Sequence, residues 1–134
     1  MASIYKELQV AMSPEELWER VKDVGNISRL FPNVIPSSEL GENNARSCTL
    51  ADGSQLTERI VAVDDEHRRV AYTITQAPMP LTHHHASMQV YPETGGSRFV
   101  WITDFLPAEA GLGEALEAAT QDLATTLAGR TAVD

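Results

Sequence analysis

The sequence predicts an α+β fold in which an antiparallel sheet closes on one long C-terminal helix, and three observations carry the prediction. From Ser37 to Leu106 the chain runs as short β-type stretches separated by turn signals, the pattern of an antiparallel meander. After Pro107 no β-type pattern remains, and Leu112, Leu116, Ala119, Leu123 and Leu127 recur at spacings of four, three, four and four. Ahead of the meander stands one strand followed by two short helical segments.

Taken in order, Ser3 to Val10 alternates as a strand should. Met12-Ser13-Pro14-Glu15-Glu16 then starts a helix: Ser13 caps it, Pro14 suits the first helical position, and Glu16 is placed to complete a capping box. Leu17, Trp18, Val21 and Val24 form its apolar side until Gly25-Asn26 stops it. Ile27 to Val34 holds a second turn or two before Pro36. Asp52-Gly53 turns a hairpin between Arg46–Ala51 and Ser54–Val63; Asp64-Asp65-Glu66 leads into Arg69–Gln76. Ala77-Pro78-Met79-Pro80 must be a loop, since two residues lack an amide donor. Gly95-Gly96 joins Thr82–Tyr91 to Ser97–Leu106, which brings the meander to five or six strands. The final helix runs up to Gly129, read as its C′ residue. Its stripe is thin, because Ala115, Ala118, Ala119 and Ala124 stand where bulk is expected. Such a helix either leaves a cavity beside it or lies close to the sheet, and the pattern alone does not choose.

A length of 134 residues with 43% hydrophobic and 22% charged residues suits one domain, 1–134, with one core. The net charge of −9 opposes binding to nucleic acid or to anionic membranes, and Arg68-Arg69 is too small a patch to reverse it. The first eight residues lack the apolar core of a signal peptide, so a cytoplasmic location is expected. Cys48, the one cysteine, reads as a buried thiol. No cofactor motif of the Walker, dinucleotide-binding or nucleophile-elbow type occurs, and no cofactor is expected.

Several segments resemble the START-like, or birch-pollen-allergen-like (SRPBCC), superfamily. Ser13-Pro14-Glu15-Glu16-Leu17-Trp18 is similar to its opening motif, and Phe31-Pro32-Asn33-Val34 to the segment between its small helices. Leu56-Thr57-Glu58-Arg59-Ile60, Asp64-Asp65 and Arg69-Val70-Ala71-Tyr72-Thr73-Ile74 resemble the central hairpin of the polyketide cyclase/dehydrase branch and of the plant abscisic acid receptors. Val100-Trp101 and Phe105-Leu106-Pro107 are similar to its last strand. The resemblance covers nearly the whole chain. It implies a helix-grip fold, a curved seven-stranded sheet wrapped around the final helix, with an internal cavity for an apolar molecule. It also implies a pocket glutamate at Glu58, within Thr57-Glu58-Arg59, and it departs at His84, where the receptors carry a tyrosine. No receptor gate motif is matched, since Ala77-Pro78-Met79-Pro80 replaces the second.

Strand parity names the inward residues independently. In Thr82–Tyr91 the apolar set is His84, Ala86, Met88 and Val90, with His83, His85, Ser87 and Gln89 outside. In Arg69–Gln76 the inner set is Val70, Tyr72 and Ile74, against Arg69, Ala71, Thr73 and Thr75. Leu56, Glu58, Ile60 and Ala62 face in on their strand, although Val61 and Val63 oppose that choice; Phe99, Trp101, Thr103 and Phe105 face in on the last. The expected ligand contacts are Leu56, Glu58, Ile60, Tyr72, Ile74, His84, Met88, Trp101, Thr103 and Leu116. Tyr5, Trp18, Phe31 and Tyr91 are assigned to packing or the surface.

A carboxyl group in an apolar cavity loses hydration and favours its neutral form, so Glu58 and His84 could act as an acid/base pair, with the Tyr72 hydroxyl as donor. Alternatively Glu58 is an exposed or paired carboxylate and His84 a wall residue. Two functions follow: binding of a small, largely apolar molecule (polyketide-like, aromatic or lipid-like), or cyclase, dehydratase or isomerase chemistry through Glu58 and His84. Under the second, Glu58→Gln removes turnover and spares affinity. His83-His84-His85 does not form a metal site, because alternate strand residues point apart. A monomer and a homodimer are both compatible with the sequence.

Overall fold

The computed structural model describes residues 2–131. Seven strands form one antiparallel sheet: β1 Ala2–Val10, β2 Ser37–Leu40, β3 Ala45–Thr49, β4 Gln55–Asp64, β5 Arg69–Gln76, β6 His83–Glu93 and β7 Gly96–Leu106. They lie in the order β1-β7-β6-β5-β4-β3-β2, so the N-terminal strand pairs with the last strand. The remaining pairs are sequential hairpins.

Each hairpin has a local cause. At the β3–β4 turn Gly53 adopts φ +89° and Asp52 Oδ1 accepts from the Ser54 amide at 2.9 Å. Asp64 Oδ1 accepts from the His67 amide, and Arg68 takes φ +51° to bring the chain back as β5. Gly96 at the start of β7 sits where a side chain cannot: a Cβ there would be 2.1 Å from the Val10 carbonyl oxygen.

Helix α1, Pro14–Val21, starts as the sequence requires, with Ser13 Oγ accepting from the Glu16 amide at 3.1 Å. The reciprocal bond of a capping box does not form among the described residues. The second short helix is 3-10 in type, spans Val24–Arg29, and so begins earlier than the apolar pattern suggested. Asn26, at φ −108° and ψ 33°, breaks it internally, which keeps it from continuing as an α-helix.

Helix α2 spans Leu112–Thr131 and runs through Gly129, which is therefore not a C′ residue. A glycine inside a helix is disfavoured by only about 1 kcal/mol, and no proline follows to end it. Leu112, Ala119, Leu123 and Leu127 are buried, while Leu116 is half-buried. Inward and outward sets are as read from the sequence on β5, β6 and β7, and on β4 as far as Ile60; a register shift between Ile60 and Ala62 then sets Ala62 opposite Ala71 on the outer face, which corrects its inward assignment, while Val61 and Val63 stay exposed. Ala71 and Val100 are buried although they lie on the outer face: the Ala71 methyl group lies between Ala62 and Ser87 in the ladder, and Val100 lies between Glu7 and Gln89. No helix among the described residues is long and apolar enough to cross a membrane.

Candidate functional site

Glu58 points inward from β4 and meets Arg46, its direct partner across the β3–β4 ladder. Arg46 Nε and Nη2 lie 2.8 and 2.6 Å from Glu58 Oε1, and both residues are buried. Arg46 also donates from Nη1 to the Val24 carbonyl at 3.1 Å, and its guanidinium carbon stands 5.0 Å from the Tyr72 ring centroid. Cys48 Sγ lies 3.5 Å from the same Oε1. Burial, reinforced by the Glu58 charge, pushes its thiol up to about 12, which leaves Cys48 unreactive. Among the described residues no donor reaches Glu58 Oε2.

The expected lone, dehydrated carboxyl is thus an ion pair, and sequence reasoning missed Arg46. The signal was present: a hairpin centred on Asp52 pairs residues placed symmetrically about it, which sets Arg46 opposite Glu58.

The other polar groups come from β5, β6 and β7. Tyr72, Ala86 and Thr103 lie in one row across these strands. Trp101 Nε1 donates to the Tyr72 hydroxyl at 3.0 Å, and burial raises the phenol above its ordinary range, with Glu58 adding to the effect. The Tyr72 proton itself has no acceptor among the described residues.

His84 Nδ1 accepts from the Ile74 amide at 3.0 Å, which fixes the imidazole proton on Nε2. Burial pushes His84 down to about 4, with smaller contributions from His85 and His83. It is therefore neutral at ordinary pH. No hydrogen bond joins it to Glu58 among the described residues. Thr103 is 1% exposed and its Oγ1 has no partner among the described residues. His83 and His85 project to the opposite face, so the triplet does not converge; among the described residues no group of three metal-ligating side chains is found.

These groups border a cavity of about 110 Å3 between the sheet and α2. Nine of the ten residues named from the sequence line it: Leu56, Glu58, Tyr72, Ile74, His84, Met88, Trp101, Thr103 and Leu116. Ile60 is buried but does not border it. Ile60 lies beyond the end of β3, and its neighbours Glu58 and Tyr72 are covered there by the Arg46 side chain.

Phe31, assigned from the sequence to packing or the surface, does line the cavity, and its ring centroid rests 5.3 Å from that of Trp101. Val34, Ile35, Leu50, Ile74, Met79, Ala115 and Leu116 are its partly exposed or exposed members and mark the mouth. Helix α2 contributes Leu112, Ala115, Leu116 and Ala119, so its small residues border open space as well as contacts. Asp122, one turn further on, holds α2 to the Asn33–Val34 segment: it accepts from the Asn33 amide, the Asn33 side chain and the Val34 amide at 2.8, 2.9 and 3.0 Å.

The profile of the family described as polyketide cyclase / dehydrase and lipid transport matches residues 1–132. Among solved structures, protein XoxI from Bacillus cereus is similar at 28% identity and a TM-score of 0.84, over 95% of this chain and 93% of that one. A START superfamily protein from Mycobacterium smegmatis shares the fold at 13% identity and a TM-score of 0.77, covering 95% and 97%. Norcoclaurine synthase from Thalictrum flavum shares it at 18% identity and a TM-score of 0.66, covering 92% and 91%. No curated protein sequence matches the chain.

Proposed function

Because the chain belongs to the polyketide cyclase / dehydrase and lipid transport family, we propose that it holds a small, largely apolar molecule in the cavity between sheet and α2. The observation that carries this reading is the cavity itself, about 110 Å3 walled mainly by apolar side chains with a few convergent polar groups. A core evolved for stability alone closes such space, because voids of this size lose contacts on every wall.

The polar wall supports binding ahead of catalysis. Arg46 satisfies one oxygen of Glu58, and the His84 tautomer leaves an N–H donor on a residue of the cavity wall, which suits holding an oxygen atom in place. A second reading, proton transfer in a cyclisation or dehydration, draws on one observation: Glu58 Oε2 is without a donor among the described residues. It would then be the base, with the Tyr72 hydroxyl as acid.

Native mass spectrometry of freshly purified protein, joined to Trp101 fluorescence in a Trp18→Phe background, tests the binding reading. Expected are a co-purifying small molecule or a saturable change in Trp101 emission with apolar probes. A protein that carries nothing and whose emission responds to no apolar probe would overturn it.

A further inference from the structure

The seam between β5 and β6 is paired over only half of β5. The ladder ends at Tyr72 and Ala86, although β5 runs on to Gln76 and β6 begins at His83. Along the unpaired stretch each strand keeps its other neighbour: β5 stays with β4 as far as Gln76, and β6 with β7 from His83 onward. In the ladder's register Ile74 stands opposite His84, where a regular sheet joins backbone to backbone. Here the Ile74 amide donates to His84 Nδ1 at 3.0 Å, and the His84 carbonyl accepts from Thr73 Oγ1. Two bonds, each with a side chain at one end, close the seam.

Among the described residues no further bond crosses it. Thr75 Oγ1 donates to the Thr57 carbonyl on β4 at 3.2 Å, and the Thr82 amide donates to the Leu106 carbonyl on β7 at 2.9 Å. The connecting loop is poorly equipped to zip the gap, since Pro78 and Pro80 lack an amide donor. The seam is also thin. Ile74 and His84 border the cavity on one side and, on the other, a surface depression of about 400 Å3. Ile74 and Met79 are members of the mouth, so parting the strands here widens it.

Capacity gives such an opening a use. The closed cavity, about 110 Å3, is smaller than the roughly 150 Å3 that holds a benzene molecule, so a larger apolar molecule fits inside only if a wall gives way. The α2 wall is fastened by the Asp122 carboxylate and by buried leucines, and the β3–β4 wall by the Arg46–Glu58 ion pair. The β5–β6 seam has two neutral hydrogen bonds, which makes it the wall that yields most easily.

We infer that β5 and β6 part at Ile74 and His84, with the His84 imidazole as the bar, and that this opening admits apolar ligands larger than the closed cavity. The inference rests on the binding reading above. Two bonds of ordinary strength make the open form a minor population, roughly one part in ten to one in a hundred. The association rate of a large ligand then scales with that fraction.

The test uses two probes on the full chain: xenon, followed by NMR, and N-phenyl-1-naphthylamine, a neutral three-ring fluorophore, followed by stopped flow. Xenon occupies apolar cavities without needing the seam. Expected is binding of both. Thr73→Val cuts one of the two bonds from the outer face, away from the cavity lining, and should speed fluorophore association and Ile74 amide exchange about threefold to tenfold. Thr75→Val, whose lost hydroxyl bond runs to β4, should change neither. Thr73 and His85 face each other one position beyond the ladder, at a site without backbone bonds, which suits a disulfide. The Thr73→Cys/His85→Cys staple should slow association about tenfold or more when oxidised and restore it on reduction. Association that neither Thr73→Val nor the oxidised staple alters overturns the seam as the opening, and so do equal effects of Thr73→Val and Thr75→Val. Binding of xenon without the fluorophore overturns it too, while leaving the cavity as the binding site. Failure of both probes overturns this inference and the binding reading beneath it.

Discussion

Arg46 and Glu58 face each other across β3 and β4, and both close contacts of the guanidinium, at 2.8 and 2.6 Å, end on one oxygen of the carboxylate. Glu58→Gln would leave a buried Arg46 without its counter-charge. Removing one partner of a buried pair typically destabilises by about 3–5 kcal/mol, whereas replacing both by apolar residues is often neutral or favourable. We expect Glu58→Gln to lower the urea midpoint sharply and the Arg46→Met/Glu58→Leu double variant to recover most of the loss. A double-mutant cycle by urea denaturation checks this. Loss of activity in Glu58→Gln alone would therefore not distinguish a missing base from a loosened fold. A single variant as stable as the parent would remove Arg46 from the account.

Much of the architecture was legible because period-two alternation and turn chemistry are local. Inward and outward sets on β5, β6 and β7 followed from single strands, and so did the opposite directions of His84 and its neighbours. What the strands did not yield depends on two segments at once. Arg46 required pairing β3 with β4 through the symmetry of the Asp52 turn, and a lone strand reading made it a flank. Phe31 was hidden because the loop after the 3-10 segment has no period; it reaches the cavity only once Asp122 draws that loop onto α2. The thin alanine face of α2 was visible, but whether it bordered space or closed against the sheet depended on the distance held by other elements.

His84 makes stability depend on pH in a window set by its burial. Its folded value, about 4, lies below the ordinary 6.5, so the unfolded chain binds the proton more readily. The stabilisation is complete above about pH 6.5 and is lost as pH falls towards 4. Allowing for partial screening, the His84 share is on the order of 2 kcal/mol. We expect His84→Asn, whose amide oxygen can still accept from the Ile74 amide, to show a shallower decline over that window than the parent. Urea unfolding at pH 7, 6, 5 and 4 compares the two, and parallel curves would show that folding leaves the proton affinity of His84 unchanged.

Gly96 is held by geometry. A Cβ at this position would be 2.1 Å from the Val10 carbonyl oxygen and 3.0 Å from the Ala11 Cα, both backbone atoms that cannot swing aside. The same corner is fixed by Ser97 Oγ donating to the Met12 carbonyl. Gly96→Ala must push β1 away from β7, and we expect a loss of about 2–4 kcal/mol, the range for overpacking at a rigid site. Gly113→Ala, where nothing lies within 4 Å of the added carbon, is the control and should be neutral or mildly stabilising. Equal thermal midpoints for the two variants would contradict the close approach.

Asp122 decides whether α2 stays at its working distance from the loop that supplies Phe31 and Val34 to the cavity. It is 7% exposed and accepts three hydrogen bonds, two from backbone amides and one from the Asn33 side chain. In Asp122→Ala those donors lose the acceptor that α2 gives them, and among the described residues no other hydrogen bond pairs the Asn33 and Val34 amides. Bonds to a charged acceptor contribute about 1.5–3 kcal/mol each before relaxation, and water can reach part of this loop, so we expect a net loss of about 2–4 kcal/mol. Asp122→Asn retains one acceptor oxygen and should fall between parent and alanine variant. Amide hydrogen exchange separates a local effect from a global one. In Asp122→Ala the Asn33 and Val34 amides should exchange faster than the β6–β7 ladder by more than the global loss explains, because the clamp opens without unpairing the sheet. Unchanged protection at those two amides would mean that α2 is held by its buried leucines alone.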